Sequence, residues 1–90
     1  MDDTLRRLSE IANGRYMTEE SLIEFNDTER FFRLLPAGEP IEYSSVDTPK
    51  KLLECVYMFS EKLWVSREHI CYMIRGLSGR LGLDLDVFVD

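Results

Sequence analysis

Three residues with reactive side chains lie close together in one segment: Glu68, His69 and Cys71. A carboxylate, an imidazole and a thiol could together hold a metal ion or activate a nucleophile. In a helix, however, Glu68 projects about 100° and Cys71 about 200° away from His69, so the three side chains face different directions. The segment therefore predicts no metal or catalytic site by itself, and His69 is expected to be an ordinary, partly exposed helix residue.

The other patterns that could indicate an enzyme or a bound ion are incomplete. The glycines at 76, 79 and 82 follow a helical pattern and not a strand, so they do not match a phosphate-binding loop. Asp84, Asp86 and Asp90 lack the internal glycine and the terminal glutamate of a calcium-binding loop. The sequence predicts that the chain is not an enzyme and carries no cofactor and no metal.

The length and composition indicate one globular domain over residues 1–90. A chain of 90 residues with 44% hydrophobic content has enough apolar material for one core, but little for a large substrate cleft. No apolar run has the length of a signal peptide or a membrane span, so a cytoplasmic protein without a membrane partner is expected. Cys55 and Cys71 are accordingly expected to be reduced thiols, with a disulfide as the alternative.

The charge is unevenly distributed, although the net charge is −6. Residues 1–47 hold five arginines against eleven acidic residues, and residues 83–90 add three aspartates. Residues 48–82 hold six basic and three acidic residues and form the basic part of the chain. Such asymmetry is compatible with a basic patch, with an acidic patch that neutralises it, or with two separate partner surfaces.

The spacing of apolar residues predicts a mostly α fold, a small domain of four to five helices. A first helix begins at Asp2 or Asp3 and ends at Asn13-Gly14. A second begins at Thr18. A third restarts at Asn26, three residues before Glu29 as in a capping box, and ends before Pro36. The apolar residues assigned to the second and third helices are Leu22, Ile23, Phe25, Phe31, Phe32, Leu34 and Leu35.

Two further helices are predicted in the second half of the chain. One is unbroken over residues 48–63, because Thr48 can cap it and Pro49 suits its first turn. The apolar spacing then breaks near Trp64 and Val65, and Ser66 can cap the next helix, which extends toward a stop at Gly82. The residues expected at the centre of the core are Leu52, Val56, Phe59, Leu63, Ile70, Met73, Ile74 and Leu77.

Strict alternation of apolar and polar residues predicts a short strand over residues 83–90, "LDLDVFVD". A weaker alternation at Ile41 and Tyr43 suggests its pairing partner. In that arrangement Phe88 lies among carboxylates on the exposed face of an edge strand. An exposed aromatic residue beside unpaired backbone groups favours strand addition or self-association, so a homo-oligomer through this edge is one prediction.

The segment from Phe59 to Gly76 resembles the helix-turn-helix pattern, with apolar residues at the packing positions and small Ser60 where two helices approach. Under that resemblance Arg67, Tyr72 and Arg75 would face the major groove of DNA. Trp64 departs from the pattern, which usually has glycine at this turn position. Two packed helices joined by a short turn give the same spacing without DNA, so a DNA-binding regulator is the alternative interpretation.

The leading interpretation is a small acidic regulator or inhibitor that acts by occupying the surface of another protein. Phe88, Trp64 and Tyr72 are the candidate interface residues, because large aromatics dominate binding energy in protein interfaces. A second alternative is an acidic mimic of nucleic acid. Its carboxylates would come from a cluster in the first third of the chain: Glu19, Glu20, Glu24, Asp27 and Glu29.

Overall fold

The computed structural model describes residues 3–14, 23–62 and 65–83, and these residues form an α+β domain. The elements in chain order are α1 (Asp3–Ala12), β1 (Ile23–Asn26), β2 (Phe31–Leu34), β3 (Ile41–Glu42), a 3₁₀ turn (Tyr43–Ser45), α2 (Pro49–Ser60) and α3 (Arg67–Leu81). The described ranges thus hold three α-helices and a three-stranded antiparallel sheet. The prediction of a mostly α domain with four to five helices, and with it the all-α class, is wrong.

The main error lies between Ile23 and Leu34, where two helices were expected and a β-hairpin forms. Asn26 does accept the backbone N–H of Glu29 through Oδ1, at 2.8 Å, as a capping box requires. In the structure that bond lies within the tight loop between β1 and β2. The N–H of Arg30 donates to the Asn26 carbonyl at 2.8 Å, and Arg30 turns the chain back with a φ of 62°. The local hydrogen bond was predicted correctly, but the long-range strand pairing decided the fold.

The sheet has the order β1-β2-β3, and its inner face is apolar. Register places Ile23 opposite Leu34, Phe25 opposite Phe32, and Phe32 opposite Ile41, so these five side chains share one face. The strand predicted near residues 41–43 is confirmed for Ile41–Glu42. Among the described residues its partner is β2. The expected partner, residues 83–90, lies outside the described residues apart from Leu83.

The helix boundaries in the second half follow the predicted capping residues. Thr48 accepts the N–H of Lys51 at 3.2 Å and caps α2, and Pro49 is its first residue. Helix α2 ends at Ser60, so the prediction that it extends unbroken to residue 63 is wrong, because Glu61 and Lys62 already leave the helix. The predicted interruption before Ser66 is confirmed. Gly82 ends α3 in the left-handed conformation, with φ 64°. No helix within the described ranges has the length and apolarity that crossing a bilayer requires.

The core lies between the inner face of the sheet and the three helices. Seven of the eight residues predicted at its centre are buried, with 7% exposure or less, and Leu63 lies outside the described residues. Helix α1 packs against both α2 and α3. The sheet adds Ile23, Phe32 and Leu34, and the 3₁₀ turn adds Tyr43.

Candidate protein-docking surface

Helix α3, which carries the residues proposed for DNA reading, is covered on three sides. The Cys71 thiol donates to the carbonyl of Ile11 at 2.9 Å, which holds α1 against one side. Strand β1 covers another side, where the ring of Phe25 lies over Gly76. Helix α2 covers the third through the core.

This packing separates the three residues of the helix-turn-helix interpretation. Arg67 is exposed at the start of α3. Tyr72 is half-buried, with its ring centroid 6.1 Å from that of Phe25, and Arg75 is half-buried with Nη1 3.4 Å from the Ala12 carbonyl oxygen. Two of the three side chains are therefore in contact with α1 or β1. DNA reading stays a prediction, and the geometry of α3 gives it no support.

Of the three aromatic residues predicted for a protein interface, Tyr72 is among the described residues. Phe88 and Trp64 lie outside the described residues. Tyr72 packs against the core and Phe25. Tyr72 is half-buried there, and its place in a protein interface stays a prediction.

The acidic cluster proposed as a nucleic-acid mimic is largely engaged in internal contacts. Glu24 forms an ion pair with Arg33 at 3.0 Å across the β1-β2 hairpin. Asp27 binds two partners described below. Glu29 is exposed, and Glu19 and Glu20 lie outside the described residues. The described carboxylates do not form an open row of the kind that would imitate phosphates.

One end of the inner face of the sheet is closed by a polar cluster, here called the closed end. It consists of Phe25, Asp27, Tyr43, Gly76 and Arg80. The Tyr43 hydroxyl donates to Asp27 Oδ1 at 2.7 Å, and Arg80 Nε donates to the same oxygen at 3.0 Å. The guanidinium of Arg80 lies 3.9 Å from the centroid of the Phe25 ring. The cluster ties the hairpin loop to the 3₁₀ turn after β3 and to the last turns of α3.

The electrostatics of the closed end match these contacts. The hydrogen bond from Tyr43 and then the charge of Arg80 lower the pKa of Asp27 from its ordinary value. Burial, and then the hydrogen bond to Asp27, raise the pKa of Tyr43 to about 12. Both groups are thus held in the protonation states that make the hydrogen bond, so the polar atoms of this end are satisfied by one another.

The opposite end of the inner face opens into a groove of about 360 Å³ between the approach to β3 and the last turns of α2. We call it the open end. Its lining residues are Leu34, Ala37, Gly38, Glu39, Pro40, Ile41, Met58, Phe59 and Lys62. Most of this lining is apolar. An apolar concavity at the surface of a small domain is a feature of binding sites.

Two large hydrophobic side chains, adjacent in sequence, stand exposed on α2, and one of them lines this groove. Tyr57 is 47% exposed and Met58 is 49% exposed, and they are the exposed large hydrophobics found among the described residues. Met58 is itself part of the lining, while Tyr57 lies on the outer side of α2. Tyrosine and methionine are both enriched in protein interfaces and fit irregular partner surfaces.

The charged residues of the open end differ from those of the closed end. Glu39 and Lys62 line the groove, and neither side chain forms an ion pair or hydrogen bond with the described part of the chain. Glu42, on β3, is exposed and likewise unpaired there. These charges are available to a partner.

The described residues offer little chemistry beyond binding. They contain no group of three or more side chains suited to a metal ion. Both cysteines are free thiols, and burial raises the pKa of Cys55 to about 11 and also raises that of Cys71. His69 caps α3, with its Nδ1 accepting the N–H of Ser66 at 3.0 Å. That capping role explains the histidine in structural terms.

Comparison of this chain with protein-family models, with curated proteins and with solved structures finds no significant match in any of the three. The geometry of the chain itself is therefore the guide to its function.

Tyr57 and Met58 were not among the predicted interface residues, although the sequence carries a signal for them. They lie between Val56 and Phe59, which belong to the buried stripe of α2, and they therefore fall off that stripe. Apolar residues that lie off the buried stripe of a helix with clear capping residues are candidates for an interface. The groove itself has no such signal, because it depends on how α2 packs against the sheet.

Proposed function

We propose that this chain is a non-catalytic binding protein that occupies the surface of another protein through its open end. The observation that carries the proposal is an apolar groove with unpaired charges, lined by the exposed Met58, with the exposed Tyr57 next to Met58 on the same helix. The setting expected from the sequence, the cytoplasm, stays part of the proposal. A regulatory or inhibitory role follows if the surface covered is one that the partner needs.

The contrast with the rest of the described surface supports this choice. The side chains that could read DNA are partly packed inward, and two of the three described carboxylates that could imitate phosphates, Glu24 and Asp27, are paired. The open end, by comparison, combines an apolar centre with a polar rim. That composition is typical of the part of a protein interface that supplies most of the binding energy.

The proposal is tested by comparing two variants with the wild-type chain in capture experiments from the source cells. The double variant Tyr57→Ser and Met58→Ser removes the exposed apolar pair without touching the core. The control Glu29→Ser changes an exposed residue of the hairpin loop, distant in sequence from α2. Captured proteins are then purified, and their affinities for all three chains are measured directly.

We expect a partner that binds the wild-type chain and the control equally and binds the double variant at least about tenfold more weakly, as truncation of interface anchors does. Circular dichroism should show the double variant folded. A partner that binds the double variant at wild-type affinity would contradict the proposal. Duplex DNA binding that falls steeply with salt and requires Arg67 would instead support the helix-turn-helix alternative.

A further inference from the structure

The outer edge of β3 lies beside the open end and is not paired by any described strand. The sheet order is β1-β2-β3, so β3 is one of its two edges. In the ladder with β2, Phe32 lies opposite Ile41, and the Tyr43 N–H donates to the Arg30 carbonyl at 2.9 Å. Backbone groups of alternate residues point to opposite sides of a strand. The N–H of Glu42 and the carbonyl of Pro40 therefore point away from β2.

A strand added at this edge would place side chains in the groove. Neighbouring strands lie about 4.8 Å apart, and their directly opposed residues share a face. Ile41 belongs to the inner face of the sheet and lines the groove together with Met58 and Phe59. The inward side chains of an added strand would lie beside Ile41, between the sheet and α2.

The charges at this edge select the kind of strand. Glu39 comes directly before Pro40, and Glu42 comes directly after Ile41. Both carboxylates are unpaired among the described residues. Like charges directly opposite each other destabilise a strand pair, and opposite charges stabilise it. A second copy of this edge would bring the same two glutamates. The chain's own segment 84–90 would bring Asp84, Asp86 and Asp90.

We propose that the open end binds an extended segment of a partner protein by strand addition to β3, and that this segment alternates aliphatic residues with lysine or arginine. Its aliphatic side chains enter the groove beside Ile41, and its basic side chains lie on the outer face, where the one opposite Glu42 pairs with that carboxylate. Backbone hydrogen bonds to Glu42 N–H and the Pro40 carbonyl fix its register. This inference rests on the proposed function and adds the binding mode and the chemistry of the partner.

The test uses two synthetic heptapeptides, one alternating lysine with valine and one alternating glutamate with valine, and measures their affinities for the full chain. The key variant is Glu42→Pro. Glu42 has φ −68° and ψ 143°, which proline adopts without strain, so the substitution removes the outward N–H and leaves the backbone unchanged. Glu42→Gln removes only the charge, and Glu29→Gln removes an equal charge from the hairpin loop.

We expect the lysine-valine peptide to bind and the glutamate-valine peptide not to bind. Glu42→Pro should weaken binding at least about tenfold, which is the loss of about 1.4 kcal/mol. Glu42→Gln should weaken it severalfold and Glu29→Gln by less than twofold. Equal effects of Glu42→Gln and Glu29→Gln would overturn the inference, because the attraction would then be one of net charge alone. A loss of affinity in Glu42→Pro no larger than that in Glu42→Gln would also overturn it, because proline removes the backbone N–H in addition to the charge.

Amide hydrogen exchange gives a second measurement that needs no variant. The Glu42 amide should exchange rapidly in the wild-type chain alone and become protected when the lysine-valine peptide is added. Protection before any peptide is added would overturn the proposed occupant. If that protection disappeared on dilution, a second copy would be the occupant; if it persisted, the chain's own segment would be.

The inference and the proposed function can fail separately. If a partner's affinity depends on Tyr57 and Met58 but not on the Glu42 N–H, the docking surface stands and strand addition is wrong. If the affinity depends on neither, the proposed function is wrong as well.

Discussion

The closed and open ends of the sheet both combine hydrophobic side chains with charged ones but differ in how their polar groups are satisfied. At the closed end, Phe25 lies between Gly76 and Arg80, and the charge of Arg80 is matched by Asp27. At the open end, Ile41 borders a groove whose charged residues, Glu39 among them, lack partners in the described chain. Charged residues near an apolar surface thus indicate a binding site only where they are not already paired.

The first prediction compares the two ends by removing one large side chain from each. Phe25→Ala should lower the free energy of unfolding by about 2 to 4 kcal/mol, because the ring packs against Phe32, Tyr72 and Arg80. Met58→Ala should change it by less than about 0.5 kcal/mol, since its side chain is half exposed. Urea denaturation measures both. Similar losses for the two variants would show that the open end is part of the core.

The second prediction concerns the close packing at Gly76. A Cβ at this position would overlap Phe25 Cζ and lie 2.8 Å from Cε2, whereas a Cβ on Gly79 would meet nothing within 4 Å. Gly76→Ala should therefore destabilise the fold by about 1 to 3 kcal/mol. Gly79→Ala should stabilise it by up to about 1 kcal/mol, because alanine is the better helix former.

A rescue variant sharpens this comparison of glycines. Combining Gly76→Ala with Phe25→Leu should recover part of the loss that Gly76→Ala causes, since the smaller side chain leaves room for the new methyl group. Thermal denaturation of the wild-type chain, the two single variants and the double variant provides the measurement. Equal stabilities of Gly76→Ala and Gly79→Ala would show that Phe25 does not pack on α3.

The smallest expected effect is the loss of unfolding free energy at alkaline pH that comes from Tyr43 at the closed end. The pKa of Tyr43 is raised to about 12, above its unfolded value of about 10. Its contribution to stability is therefore fully present below about pH 10 and is lost as the pH rises through about 12. The wild-type chain should lose more unfolding free energy between about pH 8 and pH 11 than Tyr43→Phe does. Equal losses would mean that the Tyr43–Asp27 hydrogen bond is not maintained.

The parts of the fold predictable from the sequence are those with local signals. Thr48 and Pro49 correctly indicated the start of α2, Ser66 the start of α3 and Gly82 its end, because capping depends on neighbouring residues alone. Asn26 shows the limit of such signals. Its bond to the Glu29 N–H occurs both in a helix cap and in a hairpin loop, so the local pattern did not separate the two.

The β-hairpin and the open end depended on long-range contacts. Phe31, Phe32, Leu34 and Leu35 fit helical spacing, but Phe32 and Leu34 also alternate as a strand, and their pairing with Phe25 and Ile23 decides between the two. The groove forms only where α2 meets the approach to β3. Tyr57 and Met58 were identifiable in principle as apolar residues off the buried stripe of α2.

The most direct test of the docking surface places a photo-crosslinking amino acid at Met58 in the full chain inside the source cells, with Glu29 and Arg67 as comparison positions. We expect one protein adduct that forms from position 58 and is absent from position 29. We also expect Glu42→Pro, introduced together with the crosslinking residue, to reduce this adduct. Adducts that form from position 67, on protein or on DNA, with none from position 58 would contradict the assignment of the open end as the binding surface.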